Sequence, residues 1–171
     1  GPESFEVKAL WDGALPRKSD AEIKKFANDI AQLMADVTNT GNDLDQAKNR
    51  IMAMETAAGR TQKEVPGIYK SIFDLKQQIL DMDTKFNANG PQEEIGEKMD
   101  PTIRDYMFTA FRGGMTTYGP TEMHLQSMRI ARDKLTAFQA QLKEVVNQEN
   151  ALEKQLMAAG APMIEGATQN R

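Results

Sequence analysis

The 171-residue chain has no cysteine, a single histidine, a single tryptophan and only 6% aromatic residues. Without thiols it has no disulfide framework and no thiolate metal site, and it suits any redox compartment. One histidine, His124, cannot build a multi-histidine metal centre; at the start of a helical stretch it reads as a residue without chemistry. No stretch approaches the ~18 uncharged apolar residues of a membrane span, and Gly1-Pro2-Glu3-Ser4 shows no basic region leading into an apolar one. No transmembrane segment and no export signal are therefore expected in the chain as it stands. Basic residues do not cluster either: 21 Lys and Arg are interleaved with 25 Asp and Glu for a net charge of −4, which argues against a nucleic-acid surface.

What the chain does have is helical periodicity. With 40% apolar residues it can bury one real core, so a single helical domain is the default. Over residues 19–58 the series Ile23, Phe26, Ile30, Leu33, Val37, Thr40, Leu44, Ala47, Ile51, Met54 and Ala58 steps by three and four. Over 120–159 the series Met128, Ala131, Leu135, Phe138, Leu142, Val145, Leu152 and Leu156 does the same, broken only by Glu149. Forty residues at about 1.5 Å of rise make a rod roughly 60 Å long, and such rods survive by packing on one another. Ile68, Ile72, Leu75, Ile79, Met82 and Phe86 mark a third helix to about Asn87, and Ile103, Tyr106, Met107, Ala110 and Phe111 a short fourth one stopped by Gly113-Gly114.

Local signals set the boundaries. Ser19 with Glu22 forms a capping box for the first helix, Gly59 is a candidate left-handed cap at its end, and Thr61 with Glu64 plus Pro66 is a second capping box opening the next helix after a very short turn. Asp100-Pro101 reads as a cap followed by proline at the first helical position, and Gly119-Pro120-Thr121 opens the last helix. Thr38-Asn39-Thr40-Gly41-Asn42 is a run of poor helix formers, so a bend or a thin polar layer is expected midway along the first rod. Residues 87–100 are an exposed connection, and 161–171 a loose tail after Gly160-Ala161-Pro162.

Ahead of the helices, Phe5, Val7 and Ala9 alternate with Glu6 and Lys8 up to Trp11, which reads as one β-strand. A lone strand needs a ladder partner, either a preceding β-domain or a second copy of the chain. The other reading is an extended arm across the bundle, anchored by Trp11 and Leu15. The expected organisation is thus a strand or arm over 1–18, a helical bundle over 19–160 and a flexible tail over 161–171. The bundle is all-α and antiparallel, with two long helices and two shorter ones. Its last helix is expected to lie antiparallel to the first, returning the C-terminus to the end where the strand enters.

No motif supplies catalysis or a cofactor. Asp81 with Asp83 point to different sides of a helix, and Glu93 with Glu94 lie in a loop without the fixed separation that glycoside hydrolysis needs. Asp43 and Asp45 lack the glycine and terminal glutamate of a calcium loop. Gly59-Arg60-Thr61 lacks the phosphate-loop lysine and its preceding strand. Eleven methionines, among them Met34, Met52, Met54, Met82, Met107, Met123, Met128 and Met157, read as gap-filling core in preference to an adaptable partner surface. The densest aromatic group, Tyr106, Phe108, Phe111 and Tyr118, joined by Trp11 from the arm, is the candidate docking surface; a local mini-core explains it equally well.

Taken in order, Phe5-Glu6-Val7-Lys8, Leu15-Pro16, the long helix and hairpin, Asp100-Pro101-Thr102, Gly119-Pro120-Thr121 and the closing Leu152 to Gly160-Ala161-Pro162 resemble one particular region. It is the helical C-terminal region that follows the β-propeller in bacterial sortilin-like proteins, the BNR or Asp-box repeat proteins often labelled glycosyl hydrolases. The resemblance implies a secreted or cell-envelope parent whose propeller carries any carbohydrate or peptide binding, with this chain as a non-catalytic accessory bundle whose partner is that propeller. The Ser-x-Asp-x-Gly-x-x-Trp box is absent from the chain, so no propeller function falls on its residues. A free-standing interaction or homodimerisation module is the alternative, and part of a carbohydrate-active enzyme the third reading.

Overall fold

The computed structural model of the protein describes residues 1–6, 16–88, 94, 96 and 100–162. Among these are four α-helices and no strand: α1 (Asp20–Ala58), α2 (Ile68–Asn87), α3 (Ile103–Arg112) with a 3-10 turn at Gly113–Met115, and α4 (Glu122–Ala158). The apolar stripes turn inward as their spacing requires. Leu33, Leu44 and Met54 of α1, Ile79 and Phe86 of α2, Ala110 of α3, and Val145 and Leu156 of α4 form one continuous buried core. The fold is an all-α bundle of two long and two shorter helices. No helix among the described residues is long and apolar enough to cross a membrane.

The four helices make three rods. Lys48 pairs with Asp83 at 3.0 Å and Lys76 with Glu55 at 2.7 Å, so α2 runs antiparallel to α1 along its second half. At the end of α2 the Phe86 ring packs on Phe138, with centroids 5.0 Å apart, at the mid-height of α4. The Arg104 guanidinium of α3 lies 5.1 Å above that same Phe86 ring, and α3 continues down the first half of α1, bringing Gly114 to Phe26. Together α2 and α3, 20 and 10 residues long, span nearly the length of the 39-residue α1 as one interrupted rod.

This arrangement overturns the expected pairing of the long helices. Arg132 donates to the Asp29 carbonyl at 3.0 Å, Gln139 to Thr40 at 2.9 Å and Arg50 to Asn150 at 2.7 Å, so residue numbers rise together along both rods and α1 and α4 are parallel. The chain goes up, down through two helices, and up again. The C-terminus of α4 therefore lies at the far end from Lys18, whose N–H donates to the Tyr118 carbonyl at 2.8 Å, and not beside it.

Several boundaries also differ from expectation. Gly59 is right-handed, with φ −70°, and the Thr61 hydroxyl donates to the Ala58 carbonyl at 3.1 Å, closing α1 and not opening α2. The connection is the nine residues 59–67, because α2 begins only after Gly67, whose φ of 76° reverses the chain without a capping side chain. That longer link has its own tether: the N–H groups of Gln62 and Lys63 both donate to the Ala159 carbonyl at 3.0 Å. Before α3, Thr102 and not Asp100 is the cap, reciprocating with Asp105. The left-handed glycine cap falls on α4: Gly160 has φ 80°, its N–H donates to Met157, and the Ala161 N–H donates to Leu156.

The run of poor helix formers in α1 stays helical. Thr38 and Thr40 return their hydroxyls to the Met34 and Asp36 carbonyls, and Thr40 accepts from Gln139, so a thin polar layer does form. Gly41 faces the junction of α2 and α3, where a Cβ would sit 3.0 Å from the Arg104 guanidinium and 3.2 Å from the Phe86 ring. Of the expected strand, Ser4 to Glu6 are not in strand conformation and Phe5 is exposed. The rest of it, with Trp11 and Leu15, lies outside the described residues, as do most of the 87–100 connection, including Glu93, and the tail beyond Pro162.

Candidate functional site

The break in the α4 stripe is the most unusual feature of the core. Glu149 sits where the three-and-four spacing between Val145 and Leu152 demands an apolar residue, and it is carried inward to 1% exposure. Facing it from α1 is Arg50, itself buried, whose guanidinium donates to Asn150 and makes a close ion pair with Glu153 one turn further along α4. The remaining reach toward Glu149 is 3.8 Å, a charge contact and not a hydrogen bond. Glu149 Oε1, Glu153 Oε1 and Arg50 Nε have no hydrogen-bond partner among the described residues. Burial pushes the Glu149 carboxyl up to about 7; Arg50 pulls it down and Glu153 raises it further.

Arg50 and Glu149 of this cluster line one end of a groove between α1 and α4, about 1070 Å³ in volume. Ala47, Ala53, Leu142 and Val146 supply its apolar lining, and Thr40 with Gln139 mark its other end. Asp43 also lines it, two helical turns and therefore about 10 Å of rise from the level of Arg50.

The expected aromatic docking group is divided by the helix that carries it. Tyr106 is half-buried against the core beneath the Lys134 ammonium, 5.6 Å from its ring centroid. Phe108 and Phe111 leave the opposite side of α3 with 51% and 37% exposure, and the neighbouring Met115 is also exposed. Tyr118 is half-buried where its carbonyl receives Lys18. Tyr106 thus belongs to the mini-core, and Phe108 with Phe111 to the surface. Trp11 is outside the described residues. The methionines divide as well: Met54, Met82, Met107 and Met128 fill the core, whereas Met52, Met123 and Met157 are exposed.

A second apolar surface was not anticipated. Tyr69, Phe73 and Leu80 project from α2 with exposures of 60%, 60% and 43%, at spacings that place them on one stripe. The signal lies in the doublets Ile68-Tyr69, Ile72-Phe73 and Ile79-Leu80: the first member of each turns inward, the second outward. His124 is a structural residue. Its Nδ1 accepts the Thr121 N–H at 3.1 Å at the start of α4, and its Cβ would meet any side chain placed at Gly113.

Among the described residues no group of three His, Asp or Glu side chains is placed to hold a metal ion. Fold and surfaces together define a three-rod helical bundle with an exposed apolar stripe and a buried polar cluster. Comparison of the chain with protein-family models, curated proteins and solved structures finds no match.

Proposed function

We propose that this chain is a non-catalytic helical module that docks against and positions a neighbouring domain. The sortilin-like β-propeller of a secreted or cell-envelope protein is the neighbour that the sequence resemblance suggests. The observation that carries the docking reading is the Tyr69, Phe73 and Leu80 stripe, three large apolar side chains in line on the outside of the interrupted rod. Large apolar side chains exposed along one line of a helix are characteristic of a surface that something covers. The up-down-up path supports the positioning half of the reading. The chain enters α1 at one end and leaves the 37-residue α4 at the other, about 55 Å away, so the bundle acts as a strut.

The same stripe also suits a free-standing dimerisation or partner-helix module, which is the second reading.

The test begins with the reading frame upstream of Pro2, where Asp-box repeats are expected. Propeller and bundle made as separate chains should then associate, and Tyr69→Ser, Phe73→Ser and Leu80→Ser together should abolish association while leaving helicity unchanged. A frame without those repeats removes the propeller as partner. Association that survives the triple substitution removes the stripe as its surface. Concentration-dependent self-association of the bundle, lost in the same triple variant, would favour the second reading.

A further inference from the structure

The groove between α1 and α4 carries chemistry that a docking module does not need. Two buried carboxylates, Glu149 and Glu153, face one buried cation, Arg50, so the cluster holds one more acid than base. Arg50 spends its short contacts on Glu153 and Asn150. Glu149 lines the groove's end and keeps one buried oxygen without a hydrogen-bond partner among the described residues. A buried acid in that position is stabilised by a proton or by a second positive charge.

We propose that this groove is a binding site for a small organic cation, an alkyl ammonium or guanidinium group whose head pairs with Glu149 and whose apolar stem lies on Ala47, Leu142 and Val146. Divalent metal ions do not fit, because no third carboxylate or imidazole joins the cluster among the described residues. A macromolecular partner fits less well than a small one. The polar part of the lining is divided between the amides Gln46, Asn49, Gln139 and Asn147 and charged groups of both signs, and none of the large exposed apolar side chains lies on it. The charged groups around the acid are Arg50 and Glu153 beside it, with Asp43 and Lys143 elsewhere on the lining.

Cation and proton compete for the same oxygen, which makes the site recognisable. With the Glu149 carboxyl at about 7, a ligand needing it ionised binds roughly thirtyfold more weakly at pH 5.5 than at pH 8.5. The probes are n-butylammonium and n-butylguanidinium, cationic at both pH values, with n-butanol as the uncharged stem, titrated into the full chain and followed by amide shifts in nitrogen-edited NMR spectra. At pH 8.5 both cations should give saturable shifts at Ala47, Leu142 and Val146 in the low-millimolar range, about 1–10 mM. The shifts should weaken at pH 5.5 and vanish in Glu149→Gln, whose spectrum otherwise overlays that of the parent. Glu149→Asp, which keeps the charge, should bind less tightly and retain the pH dependence. No saturation at pH 8.5, equal binding by Glu149→Gln, or equal saturation by n-butanol would each overturn the assignment.

Discussion

Replacing Glu149 by glutamine tests the most unusual packing choice in the molecule. The folded state holds this carboxyl at about 7 against an ordinary 4.5, because burial disfavours its charge more than Arg50, at 3.8 Å, favours it. A raised acid binds its proton more tightly when folded, so its contribution to stability is fully present below pH 4.5 and is lost as pH rises through about 7. The interval of about 2.5 pH units, at 1.36 kcal/mol each, sets a ceiling of roughly 3 kcal/mol on the cost of the ionised side chain at pH 8. Glutamine keeps the shape and removes the charge, while Arg50 retains Glu153 and Asn150. Urea unfolding followed by circular dichroism, at matched ionic strength, should find Glu149→Gln more stable than the parent by up to ~3 kcal/mol at pH 8 and by less than ~1 kcal/mol at pH 5. The two proteins differ in this one carboxyl, so the pH dependence of the gap reads Glu149 together with its coupling to Arg50 and Glu153. A variant no more stable than the parent at pH 8, or a gap that does not change with pH, would refute the reasoning.

Three further substitutions probe the junctions between rods. Gly113→Ala should destabilise the bundle by about 2 kcal/mol, because the new Cβ would sit 2.7 Å from both Cβ and Cγ of His124; chemical denaturation giving an unchanged midpoint would show that the α3–α4 turn can relax. Phe86→Ala removes a fully buried ring that packs on Phe138 and carries Arg104, with an expected loss of about 3–5 kcal/mol; a loss below ~2 kcal/mol in urea melts would mean that the α2–α3 junction collapses onto the cavity. Thr102→Ala deletes one half of the cap on α3 and should cost about 1 kcal/mol, with hydrogen exchange accelerated first at the start of that helix.

Much of the fold was legible because it is written in short windows. Three-and-four spacing needs only a few turns to declare which face is apolar, and the buried residues of α1, α2 and α4 follow that spacing. The Ser19 and Glu22 box likewise closes within one turn. Rival assignments of one residue within the same window were harder. Thr61 could cap either neighbour, and its hydroxyl went to α1; Asp100 and Thr102 stood two residues apart, and Thr102 took the cap because Asp105 could reciprocate. The candidate site was half legible. Glu149 was visible as an interruption, but spacing cannot say whether such a residue twists out to solvent or is held inside. That depended on Arg50, 99 residues earlier in the chain, arriving opposite it.

The residues of this protein thus declare their helices, caps and inward faces, since each is decided by hydrogen bonds and side-chain neighbours a turn apart. The direction of one rod against another is not declared in that way. An apolar stripe buries equally well against a parallel or an antiparallel partner, because the hydrophobic effect has no direction. Only the folded chain decided it. There α2 and α3 share a single rod across the Phe86 and Arg104 junction, turning four helices into three passes and leaving the first and last parallel. The same arrangement brought Arg50 level with Glu149 and Glu153, and so created their buried charged cluster.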